Sequence, residues 1–337
     1  MPDLASLTTL RVGGPAGEFV EATTEAELIA TVAEADATGT PVLVLGGGSN
    51  LLVADDGFDG RVVAVRTQGV SWDADACGGA VVRVAAGENW DALVQQAIAE
   101  GWLGVEALSG IPGQVGSTPI QNVGAYGQEV SSTIASVRCW DRQAGAVQTL
   151  FAHDCRFGYR TSRFKQEPGR FVVLEVVFQF RLGDLGSPVG YVELADRLGT
   201  QQGDRAPAAD IREAVLALRR SKGMVLDPAD HDTWSAGSFF TNPVVAAGQV
   251  PDGAPAWPQD DGLVKTSAAW LIERAGFGRG YGSGAAALSG KHTLALTNRG
   301  GASAADLVAL ARQVRDGVRS RFGIELVNEP VLVGCSL

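Results

Sequence analysis

The spacing of apolar residues predicts a helix followed by a strand near the start of the chain. Thr24 and Glu27 form a capping-box pattern, Gly39 ends the helix, and a short buried strand follows at 41–46. The apolar face of this helix is formed by Leu28, Ile29, Val32 and Ala33. These features predict the first α/β unit.

A second strand and helix precede a long segment without any periodicity. The strand at 81–87 leads to a helix with Asn89 as its N-cap, and the segment 101–127 is dense in Gly and Pro. Loops of this length are uncommon in compact domains and are usually functional or wrongly assigned. We therefore favour a ligand-binding loop at 101–127.

Strands and helices also alternate in the rest of the chain. Strands are predicted at 136–140, 146–151, 171–180, 292–298 and 324–334, and helices near 210–222, 267–275 and 303–322. The run 183–190, which contains Gly and Pro, predicts a linker and a domain boundary.

Composition indicates a globular protein of two ordinary domains. The chain has 337 residues, of which 45% are hydrophobic and 19% are charged. Its net charge of −11 argues against non-specific nucleic-acid binding, although a local anion site stays compatible with it. Because no apolar run approaches a membrane span and the first residues do not resemble a signal peptide, we expect a cytoplasmic protein without membrane insertion.

The cysteines and histidines do not indicate a disulfide framework or a metal site. The cysteines are far apart in the sequence, and the histidines lack the paired spacing of metal ligands. These residues are Cys77, Cys139, Cys155 and Cys335, and His153, His231 and His292. We expect reduced thiols and no metal.

The glycine segment 46–50 follows the first predicted strand directly. Successive backbone N–H groups without side chains can converge on a diphosphate, so this segment is a candidate phosphate-binding loop. It is not a Rossmann fingerprint, because 51–60 reads as a strand and a turn rather than a helix. A plain tight turn is the alternative.

Two further clusters combine polar and aromatic residues. Segment 155–165 interleaves four cations with aromatic rings, which fits either an anion-binding segment or a half-buried strand with a solvated basic face. Segment 235–243 places Ser238 between Gly237 and two phenylalanines, which fits either a functional hydroxyl or an ordinary loop.

In this order, the segments resemble one family, the flavin-dependent UDP-N-acetylenolpyruvoylglucosamine reductases of peptidoglycan synthesis (MurB). The matching text reads TTLRVGGPA, PVLVLGGGSNLLV, VAAGENWDALV, GIPGQVGSTPIQNVGAYGQEV, CRFGYRTSRFK, AGSFFTNPVV and KTSAAWLIERAG, followed by the final strand. The resemblance covers nearly the whole chain.

The resemblance implies an α+β fold in which FAD lies between two α/β subdomains, of the vanillyl-alcohol-oxidase/PCMH type, plus a C-terminal α/β substrate-binding domain. It places the FAD-binding region at 1–185, split near 69, and the substrate-binding domain at 186–322. The C-terminal strand, at 323–337, would carry a catalytic Glu.

The resemblance also implies the reaction, in which NADPH reduces FAD, hydride passes to C3 of the enolpyruvyl ether, and C2 takes a proton. Arg160 would lie at the substrate carboxylate, Ser238 would donate the proton, and Glu329 would orient or donate to the enolate oxygens. The family usually reads LEPEV where this chain reads LVNEPV, and Glu325 lies nearby, where it could be mistaken for the catalytic acid Glu329.

The remaining site residues are also implied by the resemblance. The cofactor would be non-covalent FAD, with its pyrophosphate on Gly46, Gly47, Gly48, Ser49 and Asn50, and its flavin against Ser117, Gln121, Asn122 and Gly124. The UDP part of UDP-N-acetylglucosamine enolpyruvate would meet Lys222 and Asn242. Tyr191 would be the lid residue, because 191–199 resembles the longer subtype with a tyrosine loop. We expect a monomer.

Two alternative functions are compatible with the same fold or with a bound flavin or nucleotide. An alcohol or hydroxy-acid oxidase would pass electrons to oxygen and would not need Ser238 as a donor. A non-catalytic flavin- or nucleotide-binding regulator is the third class.

Overall fold

The computed structural model describes residues 1–259 and 262–337. Contacts divide the chain into two compact units. Unit 1 comprises residues 1–17, 48–58 and 221–337, and unit 2 comprises 18–47 and 59–220. Across the described ranges, none of the helices has both the length and the apolar character that crossing a membrane requires.

The following strands and helices lie wholly or mainly in unit 2. The strands are β1 (Ala16–Ala22), β2 (Val42–Leu45), β4 (Phe58–Val65), β5 (Val70–Asp75), β6 (Gly79–Ala85), β7 (Trp102–Leu103), β8 (Gly124–Ala125), β9 (Gln128–Glu129), β10 (Ile134–Asp141), β11 (Ala146–Phe151) and β12 (Phe171–Leu182). The helices are α1 (Glu25–Thr38), α2 (Trp90–Ala99), α3 (Arg163–Gln166), α4 (Val192–Leu198) and α5 (Ala208–Ser221).

Two sheets organise this unit. A small sheet has the order β1–β4–β2, with β2 and β4 parallel, and an antiparallel sheet has the order β11–β10–β12–β6–β5, with β7 paired to β12. The main core packs α1 and α2 with these strands through buried Leu28, Trp90 and Phe178. This core supports the ends of β2 and α2, from which the glycine segment and the segment 101–127 continue.

Hydrogen bonds confirm the predicted starts of the first two helices. Thr24 Oγ1 accepts from the Glu27 N–H, and the Glu27 carboxylate accepts from the Thr24 N–H, so the predicted capping box is present. Asn89 Oδ1 accepts from the N–H of Ala92 at the start of α2. Each cap satisfies N–H groups that the first helical turn leaves without a partner.

The remaining elements belong to unit 1. The strands are β3 (Leu51–Val53), β13 (Val244–Ala246), β14 (Ala256–Pro258), β15 (Leu263–Thr266), β16 (Ala286–Leu288), β17 (Leu296–Asn298) and β18 (Val331–Val333). The helices are α6 (Ala268–Arg274) and α7 (Ala304–Phe322).

Helix α7 lies against the core of unit 1. Ser303 and Asp306 form a capping box, and Gly323 ends the helix with a φ of 67°. The apolar face of α7 is buried, and it packs with Phe239, Phe240 and Leu271. Phe239 and Phe240 therefore anchor the segment that contains Ser238.

Two predicted strands are shorter than expected. Of 324–334 only β18 is a strand, since Pro330 lacks an N–H and interrupts the ladder just before it. Of 292–298 only β17 is a strand, because Ser289 Oγ accepts the N–H groups of Lys291 and His292 and holds that stretch in a turn. Glu329 therefore lies just before the last strand and not on it.

Segment 155–165 is not a strand, and the alternative interpretation of a half-buried strand is wrong. Arg156 and Arg160 have φ values of 49° and 52°, in the left-handed region that a strand excludes. Gly158 and Thr161 exchange two backbone hydrogen bonds in a tight turn, after which Ser162 caps α3.

The boundaries predicted at 69, 185 and 322 concern which part of the chain binds FAD and which binds substrate. The two compact units are defined by contacts alone. The predicted domain division therefore stays a prediction.

Candidate functional site

The first two glycines of segment 46–50 lie against the segment 101–127. A Cβ on Gly46 would lie 2.8 Å from Ser117 Oγ, and a Cβ on Gly47 would lie 2.8 Å from the Cα of Gly113. A side chain at Gly47 would force the two backbones apart, whereas one at Gly46 would displace the side chains of Ser117 and Gln114. The close approach depends on glycine, as a phosphate-binding loop requires.

The second half of the segment is held by other parts of unit 1. Gly48 has a φ of 63°, and a Cβ there would lie 1.9 Å from the carbonyl oxygen of Leu7. Thr9 donates its N–H to Gly48 O at 3.1 Å. Its hydroxyl donates to Ser235 O at 2.7 Å and lies 3.4 Å from Ser49 O. These contacts fix the backbone of residues 48–49 within unit 1.

Asn50 connects this loop to the segment before β18. Its side chain Nδ2 donates to the carbonyl oxygen of Glu329 at 3.4 Å, and its own carbonyl accepts from the Val331 N–H at 2.9 Å. Strand β3, which follows, pairs in parallel with β18. A predicted cofactor residue and a predicted catalytic residue are thus neighbours in unit 1.

Asn122 holds the segment 101–127 from inside. Its side chain is buried, and Nδ2 donates to Glu129 Oε2 at 2.8 Å and to Gly158 O at 3.1 Å. Its Oδ1 accepts from the Ser131 N–H at 3.1 Å. The side chain thus fixes the loop itself, and its predicted contact with the flavin stays a prediction.

Arg160 is fixed against the same segment. Its guanidinium Nη2 donates to Gly124 O at 2.6 Å and Nη1 to Asn122 O at 3.5 Å, and its Cζ lies 5.5 Å from the centre of the Tyr159 ring. Lys165 Nζ donates to the Arg160 carbonyl oxygen at 3.1 Å. A planar cation is therefore held in one orientation beside Gly124.

Ser162 makes a second hydrogen bond between segment 155–165 and segment 101–127, which the sequence analysis missed. Its hydroxyl donates to Ile120 O at 2.5 Å while its side chain caps α3. The Ser before a helical turn is a recognisable N-cap signal. Its bond to Ile120 has no signal in the sequence.

Ser238 and Glu329 are brought close by backbone pairing in unit 1. The Glu329 N–H donates to Phe239 O at 2.8 Å, Phe240 and Asn328 form an antiparallel bridge, and the Thr241 N–H donates to Val327 O at 3.0 Å. Both side chains are half-buried. The pairing places Glu329, rather than the exposed Glu325, next to the residues that follow Ser238.

The three predicted substrate residues occupy different elements. Asn242 Oδ1 accepts from the N–H of Ala268 at 3.0 Å, at the start of α6. Lys222 is half-buried and directly follows α5. Tyr191 precedes α4, about half of it is exposed, and its ring lies edge-on to Tyr126 with 6.1 Å between centroids.

Tyr126 is a further residue that the sequence analysis did not single out. Burial raises the pKa of its phenol to about 12. Arg219, which is half-buried, is close enough to interact with it electrostatically, and desolvation lowers the pKa of that guanidinium to about 10. Tyr126 lies within the matched text GAYGQ, which is the only sequence signal for it.

These features fit a bound dinucleotide cofactor. Gly46 meets the side chains of Ser117 and Gln114, Gly47 meets the backbone of Gly113, and neither glycine carries a Cβ that would shield its N–H group. Successive N–H groups of this kind can reach a pyrophosphate.

Two family profiles match this chain. Residues 16–150 match the FAD binding domain, and residues 227–333 match the C-terminal domain of UDP-N-acetylenolpyruvoylglucosamine reductase. The predicted α+β fold, with an FAD-binding region and a C-terminal domain of this family, is confirmed.

Individual relatives are similar over almost their whole length. A UDP-N-acetylenolpyruvoylglucosamine reductase of Cutibacterium acnes is 61% identical over 337 residues, which cover 99% of this chain and 90% of the relative. That of Thermobifida fusca is 56% identical over 347 aligned residues, covering 99% and 97%. The crystal structure of the reductase (MurB) from Thermus caldophilus has a TM-score of 0.67 and 28% identity, covering 98% of this chain and 97% of that one. The chain therefore belongs to the UDP-N-acetylenolpyruvoylglucosamine reductase family.

Proposed function

We propose that this chain is a UDP-N-acetylmuramate dehydrogenase, which reduces UDP-N-acetylglucosamine enolpyruvate to UDP-N-acetylmuramate for peptidoglycan synthesis. The cofactor is non-covalent FAD and the electron donor is NADPH. Membership of the family supports this reaction. We also propose that the protein is a cytoplasmic monomer and that it has no nucleic-acid partner.

When bound, FAD reduced by NADPH would supply a hydride for C3 of the enolpyruvyl ether. Residues 46–50 would hold its pyrophosphate through backbone N–H groups, and Ser117, Gln121, Asn122 and Gly124 would line the flavin. The FAD-binding region is 1–185, 186–322 binds the substrate, and 323–337 supplies Glu329. The glycine-dependent approach of 46–47 to the loop at 113–117 supports the cofactor part.

Arg160 binds the substrate carboxylate. Negative charge develops on this group between hydride and proton transfer, and a planar cation held in place stabilises it without reorganisation. The bonds from the guanidinium to Gly124 O and Asn122 O support this role, because they fix its plane before substrate binds.

Ser238 donates the proton to C2, and Glu329 orients the enolate oxygens or donates to them. Proton transfer requires the donor and the carboxyl group to act on neighbouring atoms of the substrate. The single observation that carries this assignment is the hydrogen bond from the Glu329 N–H to Phe239 O, which sets Glu329 beside the residue that follows Ser238. Lys222 and Asn242 bind the UDP phosphates, and Tyr191 is the lid residue for the nucleotide.

The test is NADPH oxidation by the purified holoprotein with and without the enolpyruvyl nucleotide. We expect rapid oxidation only with the nucleotide, in the absence of oxygen. Oxidation that needs oxygen and not the nucleotide would instead indicate an oxidase. Failure of NADPH to reduce the flavin at all would indicate a non-catalytic binding protein.

A further inference from the structure

Residues 184–208 form an excursion from unit 2, here called the flap, whose two arms pair with each other. Its arms are joined by a bridge between Leu185 and Pro207 and by backbone hydrogen bonds Gly186 N to Ala206 O, Val189 N to Asp204 O and Ala208 N to Asp184 O. Helix α4 lies at its tip, and Tyr191 is the residue before that helix. Tyr191 therefore lies near the tip of the flap, and the flap is held together by the hydrogen bonds between its two arms.

The base of the flap is fixed by Glu106. This carboxylate is completely buried, and its Oε1 accepts from the Ser187 N–H at 2.6 Å while Oε2 accepts from the Gly104 N–H at 2.7 Å. A Cβ on Gly186 would lie 2.5 Å from Oε1, so the flap backbone approaches the carboxylate closely. Each oxygen of this buried carboxyl group thus accepts one backbone N–H, and these two hydrogen bonds fix the base of the flap.

The tip of the flap is seated on Tyr126. The Tyr191 ring meets the Tyr126 ring edge-on, and a Cβ on Gly127 would lie 3.6 Å from two Tyr191 ring carbons. Tyr126 also packs on a small core that includes Val189 and Leu194 of the flap. Tyr126 has a φ of 49°, which a non-glycine residue rarely adopts and which directs its ring from a tight turn.

We propose that Glu106 and Tyr126 are positioning residues that hold Tyr191 where it meets the nucleotide. Both anchors lie in the segment 101–127, whose later part faces the flavin in the proposed function. One loop would thus set both the flavin contact and the position of the lid. This inference rests on the proposed function for its kinetic consequence, but not for the anchoring itself.

The test uses four variants of the FAD-loaded protein. Glu106→Gln replaces one accepting oxygen by an NH₂ group that cannot accept from a backbone N–H, and Tyr126→Leu removes the ring edge. Tyr126→Phe keeps the ring and serves as the conservative rescue. Glu100→Gln, at an exposed residue just after α2, is the matched control for the charge change.

We expect the KM for the enolpyruvyl nucleotide to rise about 3- to 10-fold in Glu106→Gln and Tyr126→Leu, the size expected from losing one such contact. The kcat and flavin reduction by NADPH alone should stay near wild type, because neither needs the lid. Tyr126→Phe and Glu100→Gln should keep the wild-type KM. Hydrogen exchange of the 184–208 amides should accelerate in the first two variants only.

Unchanged KM and unchanged exchange in folded Glu106→Gln and Tyr126→Leu would overturn the proposal. It would also be overturned if flavin reduction slowed as much as turnover, since the defect would then be general. A rise in KM with Tyr126→Phe equal to that with Tyr126→Leu would overturn the role of the ring as a seat. If the wild type shows no nucleotide-dependent oxidation, the proposed function fails, while hydrogen exchange still decides the anchoring.

Discussion

The backbone N–H of Glu329 donates a 2.8 Å hydrogen bond to the carbonyl oxygen of Phe239. Ser238 directly precedes Phe239, so main-chain pairing sets the proposed acid beside the proposed proton donor. Substitution of either side chain should therefore leave their backbones in place. This makes mutational tests of the two roles interpretable.

Ser238→Ala should separate the two half-reactions. Flavin reduction by NADPH does not use the hydroxyl and should stay near the wild-type rate. Reoxidation by the enolpyruvyl nucleotide should slow by about 10² to 10⁴, the usual contribution of a positioned general acid. Stopped-flow measurement of each half-reaction checks this.

The variant should stay folded and yellow, because one hydroxyl on a half-buried loop leaves no large cavity. Equal slowing of both half-reactions, or no slowing of the second, would remove Ser238 from the role of proton donor.

Arg160→Lys should lower kcat on the order of 10²-fold or more although the charge is kept. An ammonium group cannot reproduce the plane of a guanidinium that is bonded to Gly124 O and Asn122 O. Steady-state kinetics with the enolpyruvyl nucleotide check this, and turnover at the wild-type rate would exclude Arg160 from the site.

Gly47→Ala should weaken FAD binding about 10-fold, because its Cβ would come within 2.8 Å of the Gly113 backbone and force the two segments apart. Titration of apoprotein with FAD measures the affinity. Gly248→Ala is the matched control, since among the described residues no atom beyond its chain neighbours lies within 4 Å of the added Cβ. Equal affinities of the two variants would contradict the proposed role of Gly47.

The flavin should be released when the protein is denatured by acid or organic solvent. The proposed contacts to FAD are backbone N–H groups and polar side chains, and none forms a covalent bond. The denatured chain is separated from the supernatant, and the flavin absorbance of each fraction is measured. Flavin that stays with the polypeptide would show a covalent link.

The phenol of Tyr126 should titrate near pH 12 rather than near pH 10. Between these values the folded state keeps a proton that the unfolded chain loses, so this group makes folding less favourable as pH rises through that range. The difference in tyrosinate absorbance between wild type and Tyr126→Phe isolates the group. A difference titration centred near pH 10 would show that burial does not shift this phenol.

The sequence alone predicts helix ends correctly where the residues that stabilise those ends lie within a few positions of each other. Ser303 and Asp306, like Thr24 and Glu27, satisfy each other across three residues, so a short window contains the complete signal for a helix start. Both helices were predicted with nearly correct ends for this reason.

The sequence alone does not predict the backbone conformation where partners far away in the chain determine it. In segment 155–165, Arg156 and Arg160 adopt left-handed φ values, and hydrogen bonds from Arg160 to Gly124 O and from Ser162 to Ile120 O hold the segment in place. The alternation of basic and aromatic residues in this segment gives no sign of these hydrogen bonds. Glu106 was missed because its partner Ser187 is 81 residues away, and one buried carboxylate leaves no pattern in the sequence.

The Asn50–Glu329 bond joins residues 279 positions apart, and it has a consequence for refolding. Closing so long a loop costs entropy before any contact compensates for it, and contacts of high sequence separation form slowly. Most of unit 2 comes from one continuous stretch, whereas unit 1 must collect three separate segments. After dilution from denaturant, we therefore expect secondary structure to return well before enzymatic activity, which must wait for Glu329 to reach Asn50 and Phe239.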